Sequence, residues 1–180
     1  FSASWQWPQA TRKARVSWGK RLDNELELMV SAAILRSDGD DLWMDFGNGE
    51  AGTVRGQDGE RDQEFNLSAS RGPWSFGLAH GDRRKDDPTA VFGTDVFASG
   101  TFQGDRYTVA HLGYSAALSD TLSLSTRAFE GDYRYESVLM YDGLPYDYPA
   151  SAAWHGAELQ LVSTALAAHT LMVGAEYQRN

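Results

Sequence analysis

Cysteine is absent from this 180-residue chain, which excludes a disulfide framework and a thiolate metal site. Long apolar runs are missing too: the nearest, Leu28–Leu35, is broken by Ser31 and falls far short of the ~18 residues a spanning helix needs. Basic residues are few, with 16 Lys and Arg against 25 Asp and Glu. The resulting net charge of −9 argues against nucleic acid as a partner, because phosphates require a basic face. None of these gaps excludes a membrane protein built from strands. A barrel strand alternates lipid-facing with lumen-facing residues, so mean hydropathy can be −0.46 while one face is wholly apolar.

What the chain does contain is alternation. Four stretches, Thr11–Arg36, Asp62–Arg83, Asp105–Tyr135 and Ala152–Gln178, read as hairpins. Their tight ends are Leu22–Glu25, Ser70–Pro73, Leu118–Thr121 and Leu166–His169. Long polar connections, 37–61, 84–104 and 136–151, separate them. Short turns on one side and long loops on the other are how an outer-membrane β-barrel is threaded, so the chain is expected to be an all-β, up-and-down antiparallel meander of about eight strands within one domain. Beginning at Phe1 without Met and stopping at Asn180 in mid-strand, it reads as a fragment of a longer barrel.

Matching apolar positions across each turn predicts the registers, since a one-residue slip flips a whole strand. A three-residue loop pairs Leu22 with Leu26 and sets Val16 and Trp18 beside Val30 and Ala32, with Arg21 opposite Glu27. A two-residue turn at Arg71-Gly72 sets Phe65, Leu67 and Ala69 against Trp74, Phe76 and Leu78. Pairing Leu118 with Leu122 across Ser119-Asp120-Thr121 joins the apolar sets of the third hairpin. In the fourth, Leu159, Leu161 and Ala165 match Leu171, Val173, Ala175 and Tyr177. The faces left over carry Arg21, Glu27, Arg127, Glu158, Gln160 and Glu176, which belong beside water rather than in a dry core and are assigned to a lumen. Trp18, Trp74, Tyr114 and Tyr177 on the apolar faces are candidates for an interfacial aromatic girdle.

Chemistry-bearing patterns are weak. His80, His111, His155 and His169 lack metal-ligand spacing, so no metal site is expected. Asp38-Gly39-Asp40-Asp41 begins like a calcium loop, but Leu42 and Gly49 occupy positions that need oxygen ligands. Glu158 and Glu176 resemble a glycosidase-type pair only as carboxylates on neighbouring strands, and a hydrated wall carries such groups anyway. Gly47-Asn48-Gly49 and Gly56-x-x-Gly59 lie in polar loops as turn glycines. Neither an enzyme nor a cofactor is expected. In the loops, Trp43, Phe46, Tyr141, Tyr146 and Tyr148 are candidates to grip an amphipathic ligand.

Several phrases in order, Arg15-Val16-Ser17-Trp18-Gly19-Lys20-Arg21, Arg55-Gly56-Gln57-Asp58-Gly59-Glu60-Arg61, Pro88-Thr89-Ala90-Val91-Phe92-Gly93-Thr94-Asp95, Trp154-His155-Gly156-Ala157-Glu158-Leu159-Gln160-Leu161 and Gly174-Ala175-Glu176-Tyr177-Gln178, resemble the barrel of TonB-dependent outer-membrane receptors of Gram-negative bacteria. The likeness runs over essentially the whole chain. In that family about twenty-two strands surround a plug domain, and nothing in this chain resembles the plug or the segment that contacts TonB. The resemblance implies an outer-membrane location, and as partners a lipid bilayer, the remainder of the barrel with its plug, and the TonB system. It also implies loops that capture a scarce nutrient, a small molecule or metal chelate such as a ferric siderophore or cobalamin. Two other readings stay open: a complete eight-stranded barrel with a structural or adhesion role, and a soluble ligand-binding β-barrel with its apolar faces turned inward.

Overall fold

A computed structural model describes every residue except Pro8 and Asn48. Asn48, the middle of the Gly47-Asn48-Gly49 turn, therefore lies outside the described residues. The chain is all-β. Its strands are β1 (Ser2–Gln6), β2 (Thr11–Arg21), β3 (Glu27–Ser37), β4 (Leu42–Asp45), β5 (Ala51–Val54), β6 (Glu60–Arg71), β7 (Trp74–Asp86), β8 (Phe102–Ser119), β9 (Leu122–Tyr141), β10 (Leu144–Asp147), β11 (Ala150–Ser163) and β12 (Leu171–Arg179). Among the described residues a single 3₁₀ turn, Val91–Gly93, interrupts them.

One antiparallel sheet runs in the order β1-β2-β3-β6-β7-β8-β9-β11-β12, with β10 added beside the end of β9 and β4-β5 forming a separate small hairpin. The four expected hairpins are β2-β3, β6-β7, β8-β9 and β11-β12. Beyond those eight strands, the structure adds β1 against β2 and places β4, β5 and β10 inside stretches expected to be loop. Among the described residues β1 pairs with β2 alone and β12 with β11 alone, so the meander does not close on itself.

The first register is as expected: Arg21 pairs with Glu27, Trp18 with Val30 and Val16 with Ala32. Glu25 takes a left-handed φ of 64° to close the loop, and the Leu22 N–H donates to the Leu26 carbonyl at 2.8 Å. In the second hairpin the turn is Gly72-Pro73 rather than Arg71-Gly72, and Arg71 pairs with Trp74. Proline fixes φ near −65° and offers no N–H, so it suits the second turn position, behind a glycine at positive φ. The register moves by two residues, which keeps every side chain on its expected face. The third hairpin keeps its register along the arms, Ala116 against Leu124 and Leu112 against Ala128. Its turn tightens to Asp120-Thr121, and a bulge at Leu118 absorbs the extra residue. In the fourth, Leu161 faces Val173 and Leu159 faces Ala175 as expected. However, β11 ends at Ser163, so Ala165 and the expected tight end lie in a longer loop between the two strands.

Buried aliphatic and aromatic side chains are confined to Val54, Phe102 and Leu139 among the described residues. All three sit at the long-loop end. The body of the sheet has no apolar core.

Candidate functional site

The pairing register makes the apolar face continuous from β2 to β12. It carries Val16, Trp18, Leu28, Val30, Ile34, Phe65, Leu67, Trp74, Phe76, Leu78, Leu112, Tyr114, Leu124, Leu159, Leu161, Val173 and Tyr177. Much of it is bare: Ile34 is 57% exposed, Trp74 52% and Val173 69%. Burying such a face is normally the largest favourable contribution to folding, at ~25 cal/mol per Å². A contiguous exposed patch of this extent marks an interaction surface. The four girdle candidates lie on it, and Trp74 meets Tyr114 edge-on with ring centroids 4.9 Å apart.

The band of apolar residues crosses the strands obliquely. Toward the long loops its last members are Ile34 on β3, Phe65 on β6, Leu78 on β7, Ala110 on β8, Ala128 on β9, Ala157 on β11 and Tyr177 on β12; polar residues follow, Arg36, Glu130 and Arg179 among them. Traced through the pairing, Tyr177 is level with Leu28, not with Ile34. The edge has fallen six residues, about 20 Å along a strand, over six strand spacings of about 4.8 Å. That slope corresponds to strands tilted by about 35° from the normal of a flat apolar layer, against roughly 35–45° in membrane barrels. The band's height fits as well. Counted from Leu26, just before β3, to Ile34 it runs about 26 Å along the strand and about 22 Å after projection, close to the ~25 Å apolar belt of an outer-membrane barrel.

The opposite face differs in kind. Near the short turns it carries Ser17, Gly19, Ser68, Ser70, Ser75, Gly113, Ser115, Ser123 and Ser125 with two cross-strand ion pairs, Arg21–Glu27 at 3.5 Å and Arg127–Glu158 at 2.6 Å. Both Glu158 oxygens accept from Arg127, and Glu176 stands directly opposite Glu158. Gln160 donates to Met172 Sδ at 3.0 Å. All six residues assigned to a lumen thus share one face, Arg21 and Glu27 at one side of the sheet and the others at the far side. Farther up, four rings lie on the glycines they pair with: His111 on Gly77, Tyr107 on Gly81, Trp154 on Gly131 and Phe129 on Gly156. A Cβ at any of these glycines would collide with the ring. Covering a strand glycine with a cross-strand ring restores packing that the missing side chain forfeits. Glycine and aromatic counts were visible in the sequence, but which ring meets which glycine depends on the register.

Beyond the band, the long connections pack into one cap. The Phe46 ring meets Phe97 edge-on at 5.6 Å, and Gln57 Nε2 donates to the Phe97 carbonyl at 3.0 Å, joining the first connection to the second. Asp95 joins the second to the third: its two oxygens accept the N–H groups of Asp142 and Gly143 at 3.0 and 2.7 Å, across a turn whose residues both have positive φ. Tyr141 donates to the Phe92 carbonyl at 3.2 Å and its ring lies 5.7 Å from that of Tyr146. Of the loop candidates, then, Tyr141 and Tyr146 are together, Phe46 is committed to Phe97, and Trp43 (69% exposed) and Tyr148 stand apart. Sequence inspection missed Asp95, whose only signal was an Asp-Gly pair for it to cap 47 residues away. In the part of β9 beyond the band, Tyr133 donates to Asp105. That bond, with partial burial, pushes the Tyr133 hydroxyl up to about 12. Asp62, also beyond the band, is raised by burial and by neighbouring Glu64.

The acidic run has protein partners. Asp40 accepts from Gln9 Nε2 at 2.8 Å and Asp41 accepts the Gly56 N–H, while Asp58, outside the run, accepts the Asp40 N–H and pairs with Lys85. Among the described residues no three His, Asp or Glu side chains converge as metal ligands. No protein-family model, curated protein or solved structure matches this chain.

Proposed function

We propose that this chain forms part of the wall of an outer-membrane TonB-dependent receptor that takes up a scarce nutrient, siderophore-like or cobalamin-like. The observation that carries the membrane wall is the bare apolar band, about 22 Å high, to whose normal the strands are tilted by about 35°. Tilted strands stagger an apolar layer strand by strand in any barrel, and what favours lipid here is that the staggered face is left bare: Ile34, Trp74 and Val173 are all more than half exposed. The receptor family rests on the ordered phrases quoted above, and uptake would need the remaining strands, a plug and the TonB system. The wall itself would perform no bond chemistry; its ion pairs and small polar residues would face the passage.

Partitioning of the 180-residue chain between water and detergent, followed by circular dichroism, tests the wall. A β-rich species that is monomeric only in detergent supports it. A cooperatively folding, monomeric β protein in plain buffer would sink it and turn the apolar face toward an interior core. Receptor function is tested by deleting the parent gene: energised uptake of a ferric chelate or of cobalamin should be lost, and unchanged uptake of both would refute the nutrient assignment.

A further inference from the structure

We propose that the loop-side rim of the apolar face holds the phosphate groups of membrane lipids on a ladder of arginines. The inference rests on the wall reading above. Arg12 pairs with Arg36, Arg36 with Arg61 and Arg61 with Arg84, so four guanidinium side chains stand in one row across β2, β3, β6 and β7. A second pair, Arg106 opposite Arg134, lies on β8 and β9 one step nearer the band. By parity all six belong to the apolar face. In a chain of net charge −9 this grouping does not follow from composition.

Like charges placed directly opposite one another destabilise a sheet, and the protein's own carboxylates relieve only part of the row. Asp82 pairs with Arg106 at 2.7 Å, Asp132 lies 3.5 Å from Arg134 and Asp86 lies 3.5 Å from Arg84. Arg84 also lies flat over Phe102, 3.3 Å from the ring centroid. Arg12, Arg36 and Arg61 are exposed and make no ion pair among the described residues. An external anion that bridges neighbouring guanidinium groups would turn this repulsion into attraction, and phosphate suits their forked donors.

Position identifies the anion's source. Because the band descends, Arg61 and Arg84 stand two and three alternations past Phe65 and Leu78, whereas Arg12 and Arg36 follow Ala14 and Ile34, the last apolar residues of their strands, by a single one. An anion seated there lies at the depth where apolar chains give way to headgroups, within reach of arginines that keep their stems on apolar surface. Trp5, opposite Arg12 and 64% exposed, extends the row with the residue type favoured at that boundary. At the other end Gly104 faces Arg84 without a side chain, beside a groove of about 740 Å³ in which the arginines alternate with Asp82, Asp105, Asp132 and Glu136, so that this end is the part of the row the protein neutralises itself.

The test uses the full-length protein that contains these strands, purified in neutral detergent. It is reconstituted in phosphatidylcholine vesicles with or without phosphatidic acid, and thermal midpoint and lipid co-purification are read for wild type, R36Q/R61Q, R36K/R61K and the opposite-face control Arg15→Gln. Wild type and R15Q should gain stability from phosphatidic acid and retain it. R36Q/R61Q should melt higher than wild type in neutral detergent, its repulsion relieved, yet hold phosphatidic acid about fivefold less tightly per arginine removed. R36K/R61K, retaining charge without the fork, should fall between. Equal lipid retention by wild type and R36Q/R61Q would overturn the ladder, as would loss of the bound lipid to inorganic phosphate at equal concentration, which would indicate a free-anion site. Failure of wild type to insert even into neutral vesicles would instead remove the wall reading and this inference with it.

Discussion

The two ends of each long strand follow different rules. At the loop end Val54, Phe102 and Leu139 are buried, the connections interlock through Phe46, Phe97 and Asp95, and apolar side chains turn away from water. In the sheet body the best apolar residues, Ile34, Trp74 and Val173, lie open. β8 and β9 run through both regions, so no domain boundary separates them. What changes along the strand is whether apolar side chains find cover within the chain. A loop cap that covers its own apolar residues and a sheet body that leaves them bare share one continuous ladder of hydrogen bonds.

The sharpest way to break this comparison is a charge in the middle of the band. Counted from Leu26, just before β3, to Ile34, the band has Val30 at its centre and Leu28 nearer the short-turn border. Val30→Arg should cost about 2–4 kcal/mol in denaturant titrations of the membrane-inserted protein, and Leu28→Arg less. Ser68→Arg, on the opposite face, should cost little; equal losses for Val30 and Ser68 would mean the two faces are not distinct. Next in size, Gly131→Ala drives a methyl into the Trp154 ring. It should destabilise the sheet by about 1–3 kcal/mol, the usual cost of overpacking, and shift tryptophan fluorescence. Within the cap, Asp95→Ala leaves the Asp142 and Gly143 N–H groups without their acceptor. Hydrogen exchange at the β9–β10 turn should accelerate by an amount worth about 1–2 kcal/mol, leaving the sheet body unchanged.

The smallest effect concerns pH. Burial and Glu64 raise the Asp62 carboxyl above its ordinary value, so the folded state holds that proton more tightly than the unfolded chain does. The stabilising proton is fully bound below the ordinary carboxylate range and lost as pH rises through the raised value. Asp62→Asn should therefore gain on wild type as pH climbs past that range, in paired melting curves, and a constant difference would contradict the assignment.

The antiparallel meander and its two faces were largely legible from alternation, because faces survive errors in turn position. Gly72-Pro73 moved the second hairpin by two residues and Leu118 bulged out of the third, yet no apolar residue changed sides. The cap was not legible. β4, β5 and β10 are four residues each, too short for periodicity to register, and Asp95 acts on a turn in another connection. β1 escaped notice because Ser2–Gln6 offers only five residues. The arginine row and the ring-on-glycine pairs occupy a middle position: their residues are plain in the sequence, but their adjacency exists only once every register is known.

The oblique descent of the apolar band restricts how such a wall can be rearranged. Each hairpin carries its apolar stretch at a height suited to one place around the wall, six residues lower at β12 than at β3. Duplicating, deleting or exchanging a hairpin would keep every backbone pairing available yet lift some apolar residues clear of the layer and pull charged ones into it. Its hairpins are therefore not interchangeable parts, and a shuffled version would have to rewrite its side chains before the band lined up again.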